Sequence, residues 1–261
     1  MSNEKIQILV AAHKEAPMPK DKIYLPVQVG SSLSKARFNG YQADNQGENI
    51  SAKNPYFNEL TAIYWARFNS NADIIGLVHY RRFFGFKKGK NLQNVLDGSQ
   101  VLSLLERNDV ILPKKRHYWI ESSESHYRHA HHGSAIDAVR QIINSKYPDY
   151  IDVFEKQMSK TTSHMFNMFI MRREEFNAYS DWLFDILFEV ESMIQNDVLN
   201  WSPYEKRVYG FLSERLLDVW IVQNNIRYTE VPVLFMEKQN WLLKGGKFLL
   251  RKFGYGRIGK K

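Results

Sequence analysis

Residues 73–86, DIIGLVHYRRFFGF, carry the pattern that decides the fold, a short apolar run followed at once by a cationic cluster. Residues 74–78 are aliphatic and β-branched with one glycine, which is typical of a fully buried strand, and of a parallel one. Residues 79–82, HYRR, come directly after it. Because the carboxyl ends of strands border the ligand crevice in an α/β sheet, we expect the cluster to lie at a binding site.

The two neighbouring arginines of this cluster, Arg81 and Arg82, suit an anionic ligand. A guanidinium binds phosphate oxygens through paired N–H donors. The alternative is that both are surface charges that close a strand.

Composition restricts the class of protein. A chain of 261 residues with 44% hydrophobic residues suits one large domain, or one domain with an appendage. No apolar run reaches the roughly 18 residues that span a membrane, and the first ten residues, with acidic Glu4, do not form a secretory signal. The absence of cysteine excludes disulfides, thiolate zinc sites and cysteine nucleophiles. These features predict a cytoplasmic protein.

The net charge of +8 is located in the last 24 residues, 238–261, which hold eight lysines and arginines and no acidic residue. The rest of the chain has 28 basic and 28 acidic residues and is neutral. A nucleic-acid-binding domain more often spreads basic charge over one face of its fold, so we expect no nucleic-acid partner. Leucines and aromatics among the tail's cations favour an amphipathic segment that docks on an anionic membrane; a packed terminal helix is the alternative.

The first segment of the chain also resembles a nucleotide-binding α/β unit. Residues 5–12 predict a buried first strand, and residues 23–29 predict a second, which Pro26 breaks or confines to an edge. No GxGxxG motif or P-loop follows, which argues against a dinucleotide-dependent dehydrogenase and a P-loop kinase.

A polar loop, residues 44–55, precedes a well-marked helix. Asn54 is its predicted N-cap and Pro55 its first helical residue, and apolar residues recur at three- and four-residue spacing over residues 57–68. Glu59 falls in the first turns, where the helix dipole favours an acidic side chain.

Residues 117–132 hold five of the eight histidines. The HxxHxHH spacing within them is compatible with a metal, but no HExxH motif accompanies it. Contacts to phosphate or sugar, and structural histidines without a ligand, are the other interpretations.

Two polar side chains stand out in apolar segments of the C-terminal half. Residues 161–171 predict a buried strand in which Asn167 needs hydrogen-bond partners, either backbone or ligand. Residues 203–225 predict a helix that is apolar most of the way round, with Glu214 on one apolar side. A carboxylate there is either paired, with Arg207, Arg215 or another arginine, or tuned as a general base.

Six segments together resemble a bacterial family of capsular and exopolysaccharide biosynthesis proteins. They are AAHK at residues 11–14, LPVQVG at 25–30, DNQGENISAKNPYFNELTAIYWA at 44–66, IGLVHYRRFF at 75–84, FNMFIMRREEF at 166–176 and GFLSERLLDVW at 210–220. The resemblance implies a glycosyltransferase of the GT-A-like type, with some members similar to galactofuranosyltransferases that use a UDP-linked sugar. The implied fold is α/β: one GT-A-like, Rossmann-type domain over residues 1–237 with a mixed, mainly parallel sheet, followed by the basic tail.

The resemblance also implies roles for particular residues. GT-A enzymes hold a divalent metal with a DxD motif at the comparable strand end, where this chain has HYRR and no paired carboxylates. Fixed cations would then replace the metal, and we expect no metal site, with Mn²⁺ or Mg²⁺ as the alternative. The implied donor-binding residues are His13, Lys14, Asp44, Asn45, Asn49, Asn54, His79, Arg81, Arg82 and His126. Asn167 and His129 would contact the acceptor, and Glu214 would deprotonate it.

The expected partners are a nucleotide-sugar donor, a lipid-linked glycan acceptor and an anionic membrane surface, with the protein attached to the inner face of the cell membrane. The alternative function is a non-catalytic accessory protein of the same pathway that binds a carbohydrate or a nucleotide sugar.

Overall fold

Strands and helices alternate along the chain in the computed structural model, which describes residues 4–87, 89–118 and 120–237. The strands are β1 Ile6–Ala12, β2 Tyr24–Gln28, β3 Gln42–Ala43, β4 Ile74–His79, β5 Arg82–Phe84, β6 Val110–Pro113, β7 Arg116–His117, β8 Thr162–Ser163, β9 Phe169–Arg172, β10 Tyr228–Val231 and β11 Val233–Phe235. The α-helices are α1 Asn54–Phe57, α2 Leu60–Asn69, α3 Gly98–Leu105, α4 Ser123–Ala130, α5 Gly133–Lys146, α6 Ile151–Ser159, α7 Arg173–Val198 and α8 Val208–Gln223.

One mixed sheet runs through the molecule, with β4 near its centre. Its strand order is β10–β6–β9–β4–β1–β2–β3, and β5 pairs with both β4 and β11. The β1–β2, β1–β4, β2–β3 and β6–β10 pairs are parallel, whereas β9 lies antiparallel between β4 and β6. The predicted α/β fold with a mixed, mainly parallel sheet is confirmed.

Side chains alternate between the two faces of this sheet, and each face is covered by an apolar core. In β1, Leu9 and Ala11 belong to one core, and Ile8 and Val10 belong to the other. The first core includes residues of α2, α5, α7 and α8, and the second includes residues of α3. A sheet covered on both faces explains the continuous apolar runs that mark β1 and β4 in the sequence.

The helix predicted after Pro55 is broken in two, which differs from the sequence prediction. Asn58 adopts a left-handed φ of 51° between α1 and α2. The side chain of Asn54 lies inside this break, where it donates to the carbonyl oxygen of Asn58 at 2.7 Å and to the hydroxyl of Thr61 at 3.3 Å. Asn54 is therefore the first residue of α1 and not its N-cap, which is Lys53.

The strand predicted over residues 161–171 is also divided. It forms β8 and β9, separated by a turn in which Phe166 and Asn167 have φ values of 81° and 53°. Positive φ is rare for residues with a side chain, and such residues are concentrated at functional sites. Asn167 lies in this turn and not in a strand.

Pro26 lies in β2, which is next to the edge strand β3, so the predicted edge position holds only at the proline itself. It pairs with Val10 of β1 on one side, while β3 on the other side reaches only Val27 and Gln28. Proline has no N–H to donate to a neighbouring strand. Because β3 does not extend to Pro26, the missing N–H costs the sheet no hydrogen bond on that side.

Asp44, at the end of β3, joins three segments of the chain. Its buried carboxylate accepts from the N–H groups of Gly30 and Ser31, at 2.8 and 2.9 Å, and from the hydroxyls of Ser51 and Thr61. All four donors belong to the protein and Asp44 is 0% exposed. The carboxylate therefore fixes the polar loop against the β2 end and the start of α2.

In the described part of the chain, no helix is both long enough and apolar enough to cross a membrane. Residues 238–261 lie outside the described residues, so the amphipathic tail and the boundary between residues 1–237 and 238–261 stay predictions.

We expect Asp44→Ala to lower the free energy of unfolding by about 3 kcal/mol or more, because it leaves several buried donors without an acceptor. Urea unfolding followed by circular dichroism measures this loss. Asn45→Ala is the matched control: the Asn45 side chain is only partly buried, and we expect a change below about 0.5 kcal/mol. Equal stability of the two variants would contradict a structural role for Asp44.

Candidate active site

A cavity of about 530 Å³ opens where β1 and β4 end. Ala11 in β1 and His13 just after it line one part of the cavity. Residues 79–82, which run from the end of β4 to the start of β5, line another. The remaining walls are the α1–α2 break, the β8–β9 turn, the end of α4 and the start of α8. The cavity lies at the crevice that the opening stretch of sequence predicts.

Arg82 is the cation that faces this cavity with the fewest protein partners. Its guanidinium lies 4.4 Å from the ring centre of Phe166. Its Nε is buried without a hydrogen-bond partner, and the described residues offer its guanidinium no hydrogen bond or ion pair within reach. Burial lowers the pKa of Arg82, but a guanidinium stays charged in a protein. Its unused N–H donors are available to an anionic ligand.

Glu214 lies on α8 in the cavity wall, with 15% of its side chain exposed. Its Oε1 accepts from the backbone N–H of Phe166 at 3.0 Å, and its Oε2 accepts from Arg215 at 2.9 Å. The ion pair, one of the two alternatives that the sequence left open for Glu214, forms with Arg215. Burial raises the pKa of Glu214 above the ordinary carboxyl value; Arg215 opposes this effect and Glu59 adds to it.

Glu59 is a second carboxylate in the cavity wall, and sequence reasoning placed it only near a helix dipole. Its Oε1 accepts from Asn167 Nδ2 at 2.7 Å. Asn167 also donates to the carbonyl oxygen of Gly210 at 3.0 Å and accepts from Ser213 at 2.6 Å. The protein itself therefore satisfies Asn167, which is buried and does not line the cavity.

His79 also holds the β8–β9 turn, through the carbonyl group of Phe166. Its Nε2 donates to the carbonyl oxygen of Phe166 at 2.6 Å. Burial lowers the pKa of His79; Glu59 and the hydrogen bond to Phe166 oppose this effect, and Arg82 and Arg81 add to it. The imidazole is therefore neutral at pH 7, and its Nε2–H positions Phe166 under Arg82.

His13 and two cations, Lys14 and Arg81, surround Tyr80, which directly follows β4. His13 contacts the Tyr80 hydroxyl at 3.3 Å, and Lys14 lies 5.2 Å from the Tyr80 ring centre. Lys14 and Arg81 both form ion pairs with Glu237: Lys14 Nζ lies 3.5 Å from Oε1, and Arg81 Nη1 lies 3.6 Å from Oε2. Burial lowers the pKa of His13, helped by Arg81 and Lys14, so the imidazole is neutral at pH 7.

The histidines of α4 are joined by a buried carboxylate. Glu121 Oε2 pairs with His126 Nδ1 at 3.1 Å, and Oε1 pairs with His129 Nδ1 at 2.6 Å. Burial acts to raise the pKa of Glu121, but the hydrogen bonds from His129 and His126 hold it below its usual value. Within the described ranges, no group of three or more His, Cys, Asp or Glu side chains is arranged to hold a metal ion.

The cavity brings together seven of the thirteen residues that the sequence singles out. Those on its wall are His13, Asn54, His79, Arg81, Arg82, His126 and Glu214. Those off its wall are Lys14, Asp44, Asn45, Asn49, His129 and Asn167. Lys14 adjoins the wall through Tyr80, and His129 through Glu121. None of these placements tests a ligand contact, so the donor and acceptor roles stay predictions.

Sequence reasoning gave no site role to several wall residues. They are Glu59, Asn58, Tyr204, Arg207 and Phe211, whereas His131 was considered only as part of the histidine-rich segment. Asn58 and Glu59 face the cavity because the helix breaks there, which an uninterrupted helical pattern conceals. No local sequence pattern marks Tyr204, just before α8, because its exposed position beside the cavity is known only from the structure.

Comparison with known proteins adds one solved structure. The chain is similar to a structure titled as the apo form of the bifunctional glycosyltransferase WbbM, with a TM-score of 0.83 and 28% sequence identity. The match covers 90% of this chain and 46% of that chain, so this chain spans about half the length of its structural neighbour. The Rossmann-like fold of a glycosyltransferase is thereby confirmed. No curated protein matches the sequence.

The match to a family model covers most of the chain, from residue 7 to residue 225. The model describes a domain of unknown function, DUF4422. The matched range contains β1 from its second residue, β2 to β9, all eight described α-helices and every cavity residue named above. The chain therefore belongs to the DUF4422 family.

Proposed function

We propose that this protein is a glycosyltransferase that moves a sugar from a nucleotide-diphosphate donor to a hydroxyl acceptor. The observation that carries the proposal is Arg82, a partly buried cation with unused donors at the carboxyl end of the central strand, opposite a buried glutamate. The likeness to the WbbM glycosyltransferase supports the reaction class.

Arg82 and Arg81 would bind the donor diphosphate. As the bond from the anomeric carbon to the phosphate oxygen breaks, negative charge grows on the leaving diphosphate. A cation already desolvated in the cavity stabilises that charge without reorganisation, and Arg82 needs no protein bond to be broken first. His13, Asn54 and His126 line the same cavity and would contact the rest of the donor.

Lys14, Asp44, Asn45 and Asn49 have an indirect part in this proposal. Lys14 adds positive charge beside Tyr80, and Asp44 holds the loop that contains Asn45 and Asn49. The donor that we propose is a UDP-sugar, with galactofuranose as the candidate sugar and capsule or exopolysaccharide synthesis as the setting, as the sequence resemblance implies.

Glu214 would act as the general base. Its carboxylate takes the proton of the acceptor hydroxyl while the acceptor oxygen forms a bond to the anomeric carbon and the diphosphate leaves, which inverts the anomeric configuration. A raised pKa brings the base closer to working pH and so increases its strength. Asn167 and His129 would support the acceptor side through their bonds to Glu59 and Glu121.

Fixed arginines would make the reaction independent of metal, with Mn²⁺ or Mg²⁺ as the alternative. The proposed acceptor is a lipid-linked glycan on the inner face of the cell membrane. The tail that would dock there lies outside the described residues, so this part rests on the sequence alone.

We expect Arg82→Met to weaken UDP binding by about tenfold to a hundredfold, because hydrogen bonds to charged groups contribute about 1.5–3 kcal/mol. Isothermal titration calorimetry with UDP measures the loss. Arg107→Met, at an exposed arginine away from the cavity, is the matched control and should bind UDP normally. EDTA should leave the affinity of the unmodified protein unchanged. Binding that disappears with EDTA and returns with Mn²⁺ would overturn the metal-free proposal.

We expect Glu214→Gln to reduce sugar transfer by about a hundredfold or more, because it removes the base, while UDP affinity stays within about threefold. UDP release from a panel of UDP-sugars, with octyl glycosides as acceptors, measures transfer. Glu106→Gln, at an exposed glutamate, is the control. Transfer by the unmodified protein should fall as pH drops through the raised pKa of Glu214, because protonation removes the base. Full activity of Glu214→Gln would exclude this role, and UDP binding without transfer by the unmodified protein would favour the accessory function.

A further inference from the structure

Three aromatic rings form one part of the cavity wall, away from the strand ends. The His131 ring stacks on Phe211 with ring centres 4.2 Å apart and planes 26° from parallel. The Tyr204 ring lies 5.3 Å from Phe211 and 5.9 Å from His131. Tyr204 is 52% exposed and Phe211 is partly buried, so this aromatic cluster of His131, Tyr204 and Phe211 presents ring surface to the cavity.

Planar polar side chains flank the aromatic cluster. The Arg207 guanidinium lies 5.5 Å from the ring centre of Phe211, and its Nε donates to Asn58 Oδ1 at 2.9 Å. Both Arg207 and Asn58 also line the cavity. A sugar ring has C–H groups on one face and hydroxyls around its edge. The C–H face suits the negative face of an aromatic ring, and the hydroxyls suit amide and guanidinium groups.

One ring of the cluster, Phe211, lies on α8 beside the proposed base. Phe211 is three residues before Glu214 and four after Arg207, so the three side chains share one side of the helix. An acceptor sugar on Phe211 and Tyr204 would therefore lie next to the carboxylate that takes its proton. The donor cations, Arg81 and Arg82, line the same cavity from the end of β4 and the start of β5.

We propose that the aromatic cluster is the subsite for the terminal hexopyranose of the acceptor glycan, with Tyr204 as its main stacking surface. The proposal rests on the glycosyl transfer proposed above. A nucleobase would also stack on these rings, but it would then lie on the Glu214 side of the cavity, leaving the acceptor no access to the base.

Saturation-transfer-difference NMR with a panel of methyl hexopyranosides tests the subsite, with UDP calorimetry on the same samples. We expect the unmodified protein to saturate the ring protons of at least one glycoside. Tyr204→Ala should weaken that binding by at least about fivefold, whereas Tyr204→Phe, which keeps the ring, should bind normally. UDP affinity should not change in either variant.

Phe68→Ala is the matched control, because Phe68 is exposed to a similar extent and does not line the cavity. The subsite proposal would be overturned if Tyr204→Ala bound the glycoside unchanged, or if the unmodified protein bound no glycoside. UDP binding in the same samples would still support the donor site. Loss of UDP affinity in Tyr204→Ala would assign the cluster to the nucleobase instead. An unmodified protein that binds no UDP would count against the proposed function itself.

Discussion

Strand β4 is hydrogen-bonded along both edges, to β1 in parallel and to β9 in antiparallel, and the cavity depends on this pairing. The register sets Ala11 opposite His79, so both strands end at the same level. Gly76 allows the close approach of β9, since a Cβ there would lie 2.8 Å from the Ile170 side chain. Arg82 faces the cavity because the chain turns back at the end of β4, where His79 pairs with Arg82.

The β8–β9 turn connects this strand end to α8. Phe166 and Asn167 hold left-handed backbone conformations that cost about 1–3 kcal/mol each. Hydrogen bonds to Glu214, His79 and Glu59 offset that cost. The same bonds place an aromatic ring under Arg82 and hold two carboxylates in the cavity wall, so the strained turn contributes to the arrangement of the site.

The charged side chains that line the cavity favour the binding of an anion. Glu214 is held by Arg215 and Glu59 by Asn167, so both carboxylates already have a protein partner. Arg82 has no hydrogen-bonded partner among the described residues; it lies over the Phe166 ring, and Glu214 and Glu59 act on it only through space. A partly buried cation without a hydrogen-bonded partner is costly for folding, and a bound diphosphate would reduce that cost.

The sequence alone determined the α/β class and the buried central strand with HYRR at its carboxyl end. It also singled out Glu214 as a carboxylate on an apolar helix side. These results follow from apolar periodicity and from the residues at strand ends, which are local properties. Only the tertiary structure decided that Asp44 is enclosed by protein donors, that the helix breaks at Asn58, and that Tyr204 faces the cavity. These outcomes depend on contacts between residues far apart in the chain, such as Asn167 and Glu59, which are separated by 108 positions. A local pattern carries no information on such contacts, since each is set by packing of the whole domain.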